Sequence, residues 1–279
     1  MTAVNRAMAQ SCSGIGSHAA LGNQLASLAL QEYTRFNGHR IDAEGHLWKF
    51  GSVESETELL HDPRSGLASA AQPGRYAWRR VWEYWLTLDQ HRPGSALDRK
   101  VVLVPQLIEN PQTSDAADEI RLRDLLLPVD GDNSLQSARR EGLNQAAIRA
   151  AMNDSPWSAT FISFLMHQAG LSAEQFDYAA AHWRYIQHAF DADETYAYRA
   201  CDARHAVPAV GDLLCHARGQ QALESFDAWR QAVGQPGFSM AAHCELVIDV
   251  DLAAKKIELV GGNVLQSIAR RKLKLNEDN

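Results

Sequence analysis

Two residues far apart in the chain, Ser158 and His243, are of the types that could share a proton and attack a carbonyl. Ser158 lies in the run Ser155-Pro156-Trp157-Ser158-Ala159-Thr160-Phe161-Ile162-Ser163-Phe164-Leu165-Met166-His167-Gln168-Ala169-Gly170. Ser155 suits an N-cap, Pro156 the first helical position and Gly170 the left-handed residue that ends a helix. Nearly everything between them is apolar, which predicts a helix over 156–169 buried almost all round. Ser158 then sits in the first turn, where amide N–H groups lack partners and the macrodipole is positive. A nucleophile belongs there if its developing anion is to be stabilised. A serine that merely caps its helix carries the same signature.

His243 opens an alternating run, Ala242-His243-Cys244-Glu245-Leu246-Val247-Ile248-Asp249-Val250. Cys244, Leu246, Ile248 and Val250 form one face, and His243, Glu245, Val247 and Asp249 the other. The next strand, Lys256–Asn263, folds back through a turn near Ala253, so opposed residue numbers sum to about 506. Val247 then faces Leu259, and His243 faces Asn263. An imidazole with an amide beside it is a general base with an orienting group. Gly261-Gly262, just before Asn263, points to a bulge or a close backbone approach. A strand histidine satisfied by ordinary hydrogen bonds is the plainer alternative.

His182, in Ala181-His182-Trp183-Arg184-Tyr185-Ile186, reads equally as a cleft residue or a half-buried helix histidine. Cys201, His205, Cys215 and His216 lack the second paired knuckle of a zinc site. Cys215, inside a strand, has neither dipole nor oxyanion donors to make it a nucleophile. Arg270-Arg271-Lys272 with Lys274 reads as a solvated face, and no glycine-rich phosphate loop occurs. No metal or cofactor is expected.

The elements that must position these residues follow from the patterning. A helix runs from Ser17 to about Phe36, with Leu21, Leu25, Leu28 and Leu30 apolar, and stops at Asn37-Gly38. Residues 42–74 read as loop. A second helix begins near Pro73-Gly74, with Trp78, Val81, Trp85 and Leu88 on one face as core. A short strand, VVLVPQLI, lies in an otherwise loop-like stretch to Ser137, and a third helix covers about 138–152. Then come the Ser158 helix, another over about 179–190, a strand near 212–216 and a hairpin over 242–275. Helices followed by a small antiparallel sheet predict an α+β fold.

Composition sets the outer limits. The chain has 279 residues, 46% hydrophobic, with 27 basic and 34 acidic side chains and a net charge of −7. That disfavours a dedicated nucleic-acid or anionic-membrane binder and a disordered chain. No apolar stretch approaches the roughly 20 residues of a membrane span. Four cysteines (Cys12, Cys201, Cys215, Cys244) without a close pair suggest free buried thiols in a reducing compartment. The first twenty residues do not resemble a secretory signal, so a cytoplasmic site of synthesis is expected.

PWSATFISFLMHQAG, AHWRYI, VGDLLCHARG, HCELVIDVD and GGNV, in that order, resemble a bacterial group described as domain of unknown function 2272. The resemblance extends from about Trp78 to Leu275. That group is in turn similar to papain-like cell-wall amidases of the CHAP and NlpC types, with a nucleophile opening a buried helix, then a Gly-Asp strand, a histidine opening a strand and a polar residue on the next. The resemblance implies a papain-like core at 138–279 with a helical extension at 1–137, or one continuous domain. It implies Ser158 as nucleophile in place of the usual cysteine, His243 as base and Asn263 as orienter. Gly211-Asp212 matches the Gly-Asp strand, and Asn153, Trp157, His182 and Asp212 fall where substrate would bind, Asn153 as an oxyanion donor. The implied activity is amide hydrolysis on peptidoglycan peptides. Without a signal peptide, such an enzyme would travel to the periplasm through a specialised secretion apparatus as an antibacterial effector with an immunity partner. An esterase or acyltransferase using the same pair, and a catalytically silent binding module, are the alternatives.

Overall fold

The computed structural model describes residues 19–55, 77–93, 101–105, 117–121, 135–153, 155–191, 194–219 and 223–275. Cys12, the N-terminal segment, Pro73-Gly74 and most of the stretch expected to be loop before them lie outside the described residues. Six helices are described: α1 (Ala19–Arg35), α2 (Ala77–His91), α3 (Leu135–Asn153), α4 (Ser158–Gln168), α5 (His182–Phe190) and α6 (Phe226–Val233). The strands are β1 (His39–Ile41), β2 (Leu47–Lys49), β3 (Val101–Pro105), β4 (Ala117–Arg121), β5 (Leu213–Ala217), β6 (Ala242–Asp251), β7 (Lys256–Val264) and β8 (Ser267–Lys274). Six of them form one sheet in the order β2-β1-β8-β7-β6-β5, and β3 pairs with β4 separately. The fold is α+β.

The large sheet is mixed, not antiparallel as expected, because β1 runs parallel to β8 (His39 beside Ala269). β1 and β2 are strands of three residues, too short for any periodicity to declare them.

The apolar patterning is realised as one continuous core. Leu25, Ala29 and Phe36 from the α1 region, Trp78, Val81, Trp85 and Leu88 from α2, and Phe161, Ile162 and Leu165 from α4 bury against Cys244, Leu246, Val260 and Ile268 of the sheet. The aromatic stripe of α2 is core. A buried carboxylate is tolerated within it because it is fully engaged: Glu32 of α1 accepts from Arg80 Nε at 2.7 Å and from the Tyr84 hydroxyl at 2.6 Å. That network joins α1 to α2. The opposite face of the sheet carries a second cluster of Val247, Ile257 and Leu259.

The β6–β7 register follows the numbers read from the sequence, with Leu246 opposite Val260 and Val247 opposite Leu259. A bulge between Val247 and Asp249 then shifts the pairing to Asp249–Glu258. This explains the one misplaced residue of the alternation. Past the extra residue the parity reverses, so Val250 packs with the second cluster and not with Cys244, Leu246 and Ile248.

The cysteines depart from expectation. Cys215 and Cys244 are directly opposed on β5 and β6, with Cα atoms 4.1 Å apart, and are joined as a disulfide. Cys201 is disulfide-bonded as well. The link was invisible in sequence because strand pairing, not a short spacing, brings the thiols together. A disulfide closing a 29-residue separation contributes about 3–4 kcal/mol in the chain-entropy model. The double change Cys215→Ala, Cys244→Ala is therefore expected to lower the unfolding free energy by that amount, read from urea midpoints. An unchanged midpoint would show that the link adds nothing.

Candidate functional site

The site begins with how α4 is held. Its C-terminus is a Schellman turn: Gly170 is left-handed (φ +85°) and donates to His167 O at 2.9 Å, while buried Leu171 donates to Met166 O at 3.1 Å. The start differs from expectation. The helix opens at Ser158, Trp157 holds the cap position, and no side chain caps it. Ser155 instead closes α3, its hydroxyl donating to Ala151 O at 3.2 Å. The first-turn amides of α4 are thus left for whatever sits beside Ser158.

Trp157 does not line a cleft. It is fully buried, packs on Phe36, Tyr84 and Phe161, and donates its indole N–H to Glu54. An indole with so much apolar area is worth more to the core than to a ligand. Glu54 is itself buried, and desolvation pushes its carboxyl up to about 7 despite the hydrogen bond from Trp157. Its folded value lies above the unfolded value of 4.5, so its cost to folding grows as pH rises through that interval and is complete above it. Glu54→Gln keeps an acceptor for Trp157 and removes the charge. It is expected to stabilise the protein by roughly 2–3 kcal/mol at pH 8 and by nothing at pH 4. Denaturation at the two pH values checks this, and equal effects at both would contradict it.

The hydroxyl of Ser158 meets a histidine, but not the one the strand pattern indicated. Its Oγ lies 2.7 Å from Nε2 of His182. His182 opens α5, and the segment leading into it is clamped to α4: Ser163 Oγ donates to Ala179 O and accepts from Ala179 N, each at 3.1 Å. That clamp sets the distance between the two helix starts. On its other side, His182 Nδ1 is hydrogen-bonded to the hydroxyl of Tyr185, one turn along α5. Both rings are buried. Desolvation, followed by the charges of His243, Arg218 and His216, holds His182 well below its usual range. Burial likewise raises Tyr185 well above ten, so its phenol stays protonated.

His243 is adjacent without touching Ser158. Its ring is 5.2 Å from that of His182, centroid to centroid, and is 2% exposed, with neither nitrogen hydrogen-bonded. It cannot be the base that Ser158 contacts, because α5 places His182 there first. Desolvation foremost, then Arg218, His216 and Arg271, lowers His243 to about 3. His243 is opposed to His216 on β5, whose exposed ring lies 5.6 Å away. Three imidazoles therefore lead from solvent to the buried serine.

The remaining candidates separate. Asn263 does not orient His243. It adopts a left-handed conformation (φ 55°) at the β7–β8 bulge between Gly261 and Val264, outside the paired part of β6–β7. The expected glycine effect is real. A Cβ on Gly262 would lie 2.7 Å from Phe161 Cβ, and one on Gly261 would lie 2.7 Å from Glu245 Cγ. The sheet thereby approaches α4 closely, and Arg271 of β8 reaches over β7 to pair with Glu245 of β6. Asp212 sits beside Val247, four residues up β5 from His216 and so roughly 13 Å away. Its carboxylate accepts from Ala209 N at 2.8 Å and shapes the turn entering the strand. Asn153 ends α3, exposed, and makes no side-chain hydrogen bond to Ser158 or His182 among the described residues. Tyr185 went unread, although its i+3 spacing from His182 is the signal for a helical pair.

Chemically, the arrangement is a serine at an uncapped helix start, an imidazole on its hydroxyl and a neutral phenol holding the imidazole. Among the described residues, no group of histidine, cysteine and carboxylate side chains is disposed to hold a metal ion, and no helix is long and apolar enough to cross a membrane.

Residues 129–278 match the bacterial family described as domain of unknown function 2272, uncharacterized protein conserved in bacteria, and the chain belongs to that family. Neither a curated protein nor a solved structure matches it.

Proposed function

We propose that this chain is an acyl hydrolase of the amidase kind, acting on peptidoglycan peptides, with Ser158 as nucleophile, His182 as general base and Tyr185 as the group that orients it. The observation that carries this reading is the 2.7 Å contact between Ser158 Oγ and His182 Nε2 at the open end of α4. A helix terminus supplies on the order of 0.3–1 kcal/mol, far too little to ionise an alcohol. The proton must leave in the transition state, which requires a base already in contact.

The reaction runs in two halves. With its own proton on Nδ1, His182 donates to the Tyr185 oxygen and accepts the Ser158 proton on Nε2 as Oγ bonds to the substrate carbonyl carbon. The oxyanion forms against the first-turn amides of α4. Nε2 returns its proton to the leaving nitrogen, the C–N bond breaks and an acyl-serine remains. Water, deprotonated by the same nitrogen, then bonds to the acyl carbon, the C–Oγ bond breaks as Nε2 returns the proton to Oγ, and the acid leaves with Ser158 restored.

A nucleophile opening a buried helix that packs on a sheet, with His243 opening the adjacent strand, supports the papain-like reading of this scaffold. The Cys215–Cys244 disulfide supports action in an oxidising compartment such as the periplasm, reached as an exported effector with its own immunity partner. One observation favours esters as a second substrate class. The orienting group is a neutral phenol, and an imidazolium without a carboxylate behind it suits the better leaving groups of esters.

The test is turnover of muropeptides and simple aryl esters by the purified chain. Hydrolysis that disappears in Ser158→Ala is expected. Hydrolysis that survives that change overturns the reading, and no hydrolysis of either class establishes a silent binding module.

A further inference from the structure

His243 poses a question that the Ser158–His182 pair does not answer. A buried imidazole with two unpartnered nitrogens has lost its hydration and received nothing in return. Its surroundings are cationic. Arg218 follows His216 by two positions at the end of β5, which places both on one face of the edge strand. The Arg218 backbone N–H donates to Ala241 O at 2.7 Å, holding it against β6. Its guanidinium has no ion-pair or hydrogen-bond partner among the described residues, and its charge contributes to holding His182, His216 and His243 low. Arg271 and Glu245 also face this side of the sheet: Glu245 is ion-paired with Arg271 and its charge also acts on Arg218, but Arg218 itself forms no ion pair among the described residues. In a chain of net charge −7, an unpaired cation beside an unsatisfied buried donor is a local exception.

We propose that Arg218, His216 and His243 form the recognition subsite for a carboxylate carried by the substrate, so that Ser158 works on acidic peptides in preference to neutral acyl groups. The specificity claim rests on the hydrolase reading; the binding claim does not. A carboxylate accepts from the exposed Arg218 guanidinium and the exposed His216 ring, and gains a His243 N–H, the partner that buried ring lacks, when the ring turns toward the edge strand. The His243 ring lies 5.2 Å from that of His182 and the His216 ring a further 5.6 Å from His243, so this subsite begins about one ring from His182 and ends at most about 11 Å away. That matches a carboxylate about one to three residues from the scissile bond at roughly 3.3–3.6 Å per residue.

The probes are glutarate and its neutral counterpart glutaramide, titrated into the full chain while the histidine ring C–H signals are followed by NMR. Glutarate is expected to shift the His216 and His243 signals and to bind at least tenfold more tightly than glutaramide. Arg218→Gln should remove that difference, and Lys272→Gln, which alters a distant charge of β8, should preserve it. Equal binding of the two probes, no binding of glutarate, or a difference that persists in Arg218→Gln overturns the proposal. Aryl esters of glutarate and of butyrate separate the two claims. Glutarate binding with neither ester cleaved keeps the subsite and removes the hydrolase. Cleavage of both esters at equal kcat/KM without glutarate binding does the reverse.

Discussion

His182→Ala is expected to lower kcat for any Ser158 substrate by about 10²–10⁴, the usual contribution of a positioned general base, which at tenfold per 1.36 kcal/mol corresponds to about 3–5 kcal/mol. His243→Ala is expected to change kcat by less than tenfold and to act mainly on KM. The difference follows from geometry. His182 Nε2 is 2.7 Å from Ser158 Oγ, whereas His243 meets the site only through the His182 ring. A base acts on the proton it touches, and a neighbour one ring away can only position or bind. Tyr185→Phe should lie between the two, since it leaves His182 in contact but frees its tautomer. Because burial holds His182 below its usual range, the enzyme should retain its base, and hence its rate, at pH values below 6.5. The more conservative His182→Gln guards against a folding defect in the alanine variant. A kcat loss larger in His243→Ala than in both His182 variants would assign the base to the strand and not to α5.

The second large effect is on stability in acid. His182 and His243 are buried neutral, and both fall below the unfolded value of 6.5, His243 to about 3. As pH falls below 6.5 the unfolded chain binds protons that the folded one refuses, so stability decreases with pH. His243 contributes a slope of about 1.4 kcal/mol per pH unit, and His182 adds to it in the same direction. Glu54 opposes them between its folded value of about 7 and its unfolded value of 4.5, and Glu245, raised mainly by burial, acts in the same sense. Between pH 6.5 and 4.5 Glu54 offsets much of the loss that His243 brings, and Glu54→Gln should steepen the fall by about 2–3 kcal/mol over that interval. His243→Asn, which cannot titrate, should flatten it by about 1.4 kcal/mol per unit. Urea denaturation across this range gives each slope. A His243→Asn profile parallel to the unaltered protein would mean that His243 is protonated in the folded state, contrary to its burial among Arg218, Arg271 and His216.

These effects depend on parts of the molecule that differ in how openly the sequence announces them. The buried character of α4 and its Gly170 terminus are local signals, and the chain displays them. So is the phase of β6, where alternation and a turn near Ala253 sufficed to pair Val247 with Leu259. The phase ended at the bulge before Asp249, because one extra residue leaves no compositional mark. His243 was readable as a residue of interest but not as a non-contacting one. Which imidazole reaches Ser158 is decided by the Ser163–Ala179 clamp and the docking of α5, and those are tertiary facts. Asn263 failed for a related reason. The bulge that Gly261-Gly262 foretold also swings Asn263 out of register. Trp157 and Asp212 were placed in a cleft by analogy of position, yet one serves the core and the other a turn. The Cys215–Cys244 link required the β5–β6 register, which no spacing in the chain encodes.

The most direct single measurement is intact-protein and peptide mass spectrometry after exposure to an alkyl fluorophosphonate, which reacts far faster with a serine whose proton is being withdrawn than with an ordinary hydroxyl. One adduct on Ser158 is expected in the unaltered chain and in His243→Ala, and none in His182→Ala or Ser158→Ala. Absence of any adduct, or labelling of Ser158 that is indifferent to His182, would contradict the pairing on which the proposed chemistry stands.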